Sequence, residues 1–247
     1  NSNGVDNELE ILSARSIAAQ AVRDWKLYVT YTRKGRLKEV ILYKNQPITV
    51  DVDPGHLETL NAPINLVIKR ENGKYHVTGT YYVNGQANSV SGPYSLDKTL
   101  GSLPATIGTR AGFITFAANT STPMDEGSEM KVQIVSPDQA AYKYEAELTA
   151  SQTNKNTSIV LLALSDEVPQ RAMDYLKQLT IAYNQQANAD KNEVATNTEA
   201  FINSRLEKIN AELGSTESQL ENYKKRNNMV ELKLNAGQAV ANADTYD

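Results

Sequence analysis

The spacing of hydrophobic and polar positions changes character about two thirds of the way along the chain. In NELEILSARSIAAQAVRDW the apolar positions Ile11, Ala14, Ala18, Ala21 and Trp25 recur at alternating steps of three and four. That spacing predicts a helix, with Asp6 or Asn7 as its cap. The segments LYVTYTRKG, VILYKNQPITVDV, INLVIKRENGKYHVTGTYYVNGQANSV and FITFAAN follow, rich in β-branched and aromatic residues. They are broken by Asn72-Gly73 and Asn84-Gly85, dipeptides that accept the positive φ of tight hairpin turns. This middle is predicted to be sheet, antiparallel at least in part.

From Lys131 the predicted order is strand, helix, strand, helix. KVQIV leads to SPDQAAYKYEAEL, where Ser136 caps and Pro137 takes the first helical position. SIVLLAL is apolar on both faces, which predicts a central strand covered on both sides and an α/β layer. The helix after it, with Pro169 at its start, places Ala172, Leu176, Leu179 and Tyr183 on one stripe.

No proline or glycine stops that helix between Gln170 and Glu212. Its pattern runs into Ile202, Leu206, Ile209, Leu213, Thr216, Leu220 and Tyr223, alternating steps of four and three, with Phe201 beside the first. This is a heptad seam, and a heptad seam is a packing surface. Its partner is either another helix of the same protomer or a helix of a neighbouring subunit. A helix unbroken from Val168 to Arg226 is on the order of 90 Å long and must leave the body that precedes it. Beyond Asn227-Asn228 the pattern fades, and the chain there either frays or starts a return helix. The expected fold class is therefore α+β: a mixed sheet with packed helices over residues 1–166, and a long, protruding, coiled-coil-like helical extension over residues 167–247.

Composition removes several function classes. The 247 residues suffice for one large domain or a compact domain with an appendage. Net charge is −4, from 25 basic and 29 acidic residues, with no basic run, so a nucleic-acid partner is not expected. Zero cysteines exclude disulfides, thiolate metal sites and cysteine nucleophiles. No apolar run is long enough to span a bilayer, and NSNGVDNELE has neither the basic start nor the apolar centre of a signal peptide, so the segment reads as soluble.

Candidate chemistry is sparse. His56 and His76 stand in different segments without a third ligand at metal spacing, and they read as hydrogen-bonded or exposed histidines. Asp51 with Asp53, or Asp125 with Glu126, lack the opposed geometry of a glycosidase pair and read as turn and strand-end carboxylates. Tyr81-Tyr82 offers rings for stacking on sugars, but alternation along a strand turns one ring into the core and its neighbour to solvent. No catalytic, cofactor or metal residue is assigned, and the segment is not expected to be an enzyme. The glycan-acting enzyme is the least supported class.

Four stretches carry a family resemblance: Asp166 to Pro169, Ala172 to Tyr183, Phe201 to Leu206 and Glu212 to Leu220. NELEILSARSI adds Glu10, Ile11, Leu12, Ser13 and Arg15 at the other end. Together they resemble the periplasmic region of the polysaccharide co-polymerases, the chain-length determinant (Wzz) family. The likeness extends to its branch of exopolysaccharide transport proteins and capsule tyrosine autokinases. The matching ends amount to about half the chain, and residues 33–125 carry no matching motif. The resemblance implies a membrane-proximal body at the periplasmic face of the inner membrane of a Gram-negative bacterium, anchored by one membrane helix before it and one after. It implies homo-oligomeric rings that regulate the length or export of capsular polysaccharide or exopolysaccharide. The implied partners are further copies, a polysaccharide polymerase or an outer-membrane export channel, and the nascent polysaccharide, with no cofactor. Phosphoryl transfer needs a phosphate-cradling loop, and the one Gly-Lys pair lies in the RENGKYH turn, so any kinase domain would lie beyond Asp247. Two other readings stay open: an adaptor of an export pump built on a helical hairpin, and a glycan-binding domain.

Overall fold

The structure is a computed structural model that describes residues 2–84, 89–154, 157 and 159–243. The chain separates into two compact units, residues 1–186 and residues 187–247. The division comes some way into the last helix, later than the change of pattern at residue 166 suggests.

The first unit opens with two helices where the periodicity predicts one, α1 (Ser2–Leu12) and α2 (Arg15–Asp24). The chain breaks at Ala14, which is extended (φ −69°, ψ 137°). Asp6 and Asn7 lie inside α1, so neither caps it. The stripe on α2 survives the break, because Ile17, Ala18, Ala21 and Val22 are buried.

Strands β1 (Val29–Lys34), β2 (Glu39–Leu42), β3 (Ile48–Val52), β4 (Ile64–Glu71), β5 (Lys74–Asn84), β6 (Val90–Leu100), β7 (Ala105–Gly108), β8 (Phe113–Ala118) and β9 (Glu129–Ile134) follow, with the short helix α3 (Pro54–Glu58) after β3. Six of them form one sheet in the order β2-β1-β9-β4-β5-β6, and three form another in the order β3-β8-β7. Period-two patterning sets their faces. Ile64, Leu66 and Ile68 of β4 and Met130, Val132 and Ile134 of β9 all point into the core. Register pairs Leu66 with Val132, and burying each such side chain contributes about 1.5–3 kcal/mol. The β4–β5 turn is Asn72-Gly73, with φ of 54° and 71°, as the dipeptide predicts. The second predicted turn, Asn84-Gly85, reaches outside the described residues.

All ladders between the described strands are antiparallel, so the sheet is not mixed. The α/β layer expected from Lys131 onward is absent for the same reason. β9 inserts antiparallel between β1 and β4 and is followed by α4 (Pro137–Glu147). Then β10 (Leu148–Gln152) and β11 (Val160–Leu164) pair only with each other. SIVLLAL is therefore half of a two-stranded ribbon rather than a central strand. Leu162 and Leu164 pack against the core while Leu161 is 59% exposed. An apolar run alone does not distinguish a doubly covered strand from a strand with one face uncovered.

The end of the first unit is better foreshadowed. Ser136 caps α4, its Oγ accepting from Gln139 N–H at 3.2 Å, with Pro137 next in line. α4 packs on α2 and buries Ala140, Ala141 and Tyr144. The last helix, α5 (Pro169–Ala243), brings Tyr175 against Tyr144 with ring centroids 4.4 Å apart. Ala172, Tyr175, Leu179 and Ala182 of α5 are buried, and Leu176 and Tyr183 are half-buried. The fold is α+β.

The second unit belongs to α5, which continues through Asn227-Asn228 to Ala243. Every side chain from Asn188 to Met229 is exposed.

Candidate functional site

The seam residues sit where the heptad places them, on α5 in the second unit. Phe201, Ile202, Leu206, Ile209, Leu213, Leu220 and Tyr223 are between 50% and 64% exposed. Thr216, the polar member of the stripe, donates its hydroxyl to the Glu212 carbonyl at 2.9 Å, so packing that position leaves its donor satisfied. Beside the stripe, Lys225 pairs with Glu221 at 2.8 Å, and the Arg205 guanidinium lies 5.9 Å from the Phe201 ring. Among the described residues, no other element covers these seven side chains. A helix with that much uncovered apolar surface derives little stability from propensity alone and gains it by packing.

A second locus, which periodicity did not disclose, lies in the first unit. A cavity of about 310 Å³ opens between the end of α2, strand β1 and the β2–β3 connection. Its aromatic walls are Trp25, Tyr31 and Tyr43, and its polar lining includes Lys26, Lys44 and Asp51. Trp25 closes α2: Lys26 N–H donates to Arg23 O (3.2 Å) and Leu27 N–H to Val22 O (2.9 Å). This is the Schellman arrangement, whose left-handed residue is usually glycine. Here it is Lys26, with φ of 52°. Lys44 repeats the conformation on the opposite loop, with φ of 64°, directly after Tyr43. A side chain in the left-handed region costs roughly 1–2 kcal/mol per residue.

The rings are held in place. Trp25 Nε1 donates to Gln178 Oε1 at 2.9 Å, and Gln178 in turn donates to Asp24 at 2.7 Å. The Tyr43 hydroxyl donates to Asp174 at 2.7 Å, and Tyr31 Oη both donates to Val50 O (3.2 Å) and accepts from Val50 N–H (2.9 Å). Lys44 Nζ bonds Asp174 at 2.6 Å and stands 4.5 Å from the Trp25 ring centre and 5.4 Å from that of Tyr43. Lys26 pairs with Asp51, which also accepts from the Tyr28 hydroxyl at 2.9 Å. Burial and then the Asp51 charge push the Tyr28 phenol up, burial and then Asp174 do the same to Tyr43, and burial takes Tyr31 to about 12. All three phenols therefore stay protonated at neutral pH and act as donors rather than bases. Arg171, at the back of the cavity, is committed to Asp166 through Nε and Nη2. The arrangement is a cavity of fixed aromatic rings and paired charges, and its phenols are not activated as nucleophiles.

The remaining candidates resolve into structural roles. Asp53 caps α3, accepting from His56 N–H (3.0 Å) and from Phe113 N–H (2.8 Å), while Asp51 serves Tyr28 and Lys26. His56 is buried, and its Nδ1 has no hydrogen-bond partner. His76 bonds Thr99 at 3.1 Å, Glu126 accepts from Gly73 N–H of the β4–β5 turn, and the Asp125 carbonyl accepts from the Ser128 hydroxyl within its own loop. Tyr81 is buried against Tyr94, and Tyr82 is half-buried. Among the described residues no three His, Asp or Glu are grouped to hold a metal, and no helix is long and apolar enough to cross a membrane.

Comparison of the chain with protein-family models and with curated proteins gives no match.

Proposed function

We propose that the chain is the periplasmic part of an inner-membrane polysaccharide co-polymerase. It acts as a non-catalytic scaffold whose copies assemble into a ring and regulate the length or export of capsular polysaccharide or exopolysaccharide. The observation that carries the reading is the uncovered seam from Phe201 to Tyr223, a coiled-coil surface in need of a partner. The α+β first unit accords with it, and so does the start of α5, where the motif residues Asp166 and Pro169 form a structured helix entry: Asp166 Oδ1 accepts from Val168 N–H at 2.8 Å. The polysaccharide itself enters through the family resemblance. In this reading the first unit lies near the membrane, the seam residues pack between helices, and the nascent glycan runs along the assembly.

The test is the mass, by light scattering in detergent, of the full-length protein carrying this segment. A ring of several protomers is expected, weakened by Leu206→Asp and by Leu220→Asp. A monomer at all concentrations, unaffected by either change, overturns the ring.

A further inference from the structure

We propose that the cavity between Trp25 and Tyr43 binds one pyranose unit of a saccharide. That this saccharide is the exported glycan rests on the function proposed above; the binding chemistry stands on the cavity itself.

Size comes first. Small-molecule pockets run from about 300 to 1,000 Å³. At about 310 Å³ this cavity holds one ring rather than an extended peptide. Its walls are apolar, from Leu27, Val29, Leu42 and Val50 as well as the three rings, while charged and hydroxylic groups stand among them. A pyranose has this division: C–H faces that pack on aromatic rings, and an equatorial belt of hydroxyls that donate and accept together.

The charges select a hydroxylic ligand over a bare anion. Lys26, Lys44 and Arg171 each already face a carboxylate, from Asp51, Asp174 and Asp166 respectively. Each ammonium still has N–H donors to spare after one carboxylate contact, and Asp51 keeps acceptor capacity beside Lys26. A sugar hydroxyl bridges such a donor–acceptor pair without disturbing its charge balance, whereas a bare anion would meet a carboxylate beside each cation and add an uncompensated negative charge.

The third observation concerns the backbone that carries the lining. Two lysines, each immediately after a cavity aromatic, are held in the left-handed conformation on two separate loops. Glycine would relieve both. Strain of this kind persists where the surrounding structure over-determines it, and it clusters at ligand sites. Here it sets the directions of Trp25-Lys26 and Tyr43-Lys44 around one cavity. With the rings pinned by Gln178, Asp174 and Val50, little ordering is left for a ligand to bring about.

Trp25 is the one tryptophan of residues 1–247, and the emission that the full-length protein loses on Trp25→Phe reports on this cavity. The full-length protein in detergent is titrated with glucose, galactose, mannose, N-acetylglucosamine and glucuronate, with inorganic phosphate as the control anion. At least one sugar is expected to change the emission saturably, and Lys44→Ala and Lys26→Gly to weaken it by roughly tenfold or more. Lys26→Gly suits the left-handed turn while removing the lysine side chain, so loss of binding in it does not reflect misfolding of that turn. Absence of a saturable response to every sugar on the order of 100 mM, an equal response to phosphate, or unchanged affinity in both variants overturns the proposal. The light-scattering mass, read on the same samples, separates the two readings. Sugar binding that fails while the ring persists removes only the cavity, and a monomer that still binds sugar removes only the ring.

Discussion

Asp166 and Arg171 form a bidentate pair at the entry of α5, with Nε–Oδ2 at 2.8 Å and Nη2–Oδ1 at 2.7 Å, and their side chains are 5% and 10% exposed. Breaking such a pair from one side strands a buried charge, so Asp166→Ala is expected to cost about 3–5 kcal/mol in a urea unfolding titration. Replacing both partners by leucine is expected to cost clearly less, because no uncompensated charge is left behind. Burial by itself would raise the Asp166 carboxyl, but the hydrogen bonds from Arg171 and from Val168 N–H, with the Arg171 charge, hold it below the usual value. Its stabilising contribution is therefore complete above about pH 4 and disappears as pH falls through the lowered value. Asp166→Asn should flatten that acid limb.

Tyr175 is fully buried, stacked on Tyr144, and its hydroxyl has no hydrogen-bond partner. An unsatisfied buried hydroxyl costs about 1–3 kcal/mol, so Tyr175→Phe is expected to stabilise the first unit by about 1 kcal/mol. Thermal unfolding checks it; a loss of stability would mean that an internal water serves the hydroxyl.

Lys26 occupies the left-handed position of the turn that ends α2. Lys26→Gly removes roughly 1–2 kcal/mol of backbone strain and forfeits an exposed ion pair with Asp51 worth about 0–1 kcal/mol. A net rise in unfolding midpoint is expected from calorimetry, together with weaker sugar binding. Such an opposition is characteristic of a residue retained for function rather than for stability. No rise at all would place the energetic weight on the Asp51 contact.

His56 is buried next to the capping Asp53, and burial lowers its pKa more than Asp53 raises it. The folded state thus resists protonation relative to the unfolded chain. Stability is expected to be complete above about pH 6.5 and to fall as pH drops from there toward the lowered value. In His56→Gln this slope should vanish just below about pH 6.5, whatever the variant's absolute stability. A slope unchanged in that window would assign it to other groups.

Much of the architecture was legible because period and turn chemistry are local. The alternation in INLVIKRE and EMKVQI, the Asn72-Gly73 turn, the Ser136-Pro137 cap and the long helix all carry their signal within a few residues. SIVLLAL misled because its covering is a matter of neighbours: among the described residues β11 pairs with β10 alone, and an apolar run does not record that. The break at Ala14 was hidden inside an unbroken three-four spacing. The helix that carries the stripe was readable residue by residue, whereas the cavity was not. Trp25 looked like one more apolar position on a helix, and neither Trp25-Lys26 nor Tyr43-Lys44 signals a left-handed lysine, since that conformation follows from the loops' surroundings rather than from lysine itself.

Gly214 separates two demands that the second unit places on its sequence. It lies in the interior of α5, follows Leu213 of the seam by one residue, and has nothing within 4 Å of where a Cβ would stand. One residue turns a helix by about 100°, which carries position 214 off the stripe. Alanine there is expected to gain the roughly 1 kcal/mol that glycine forfeits in a helix interior, raising the helical signal by circular dichroism and the midpoint of its loss on heating. Because the new methyl group lies away from Ile209, Leu213 and Leu220, the assembled mass of Gly214→Ala should equal that of the parent. Leu213→Ala, which truncates the stripe itself, should weaken assembly and leave the first unit's unfolding unchanged. If Gly214→Ala were instead to lower the assembled mass, a partner backbone must approach at Gly214, and the packing face would have to be rotated toward it and away from Leu213.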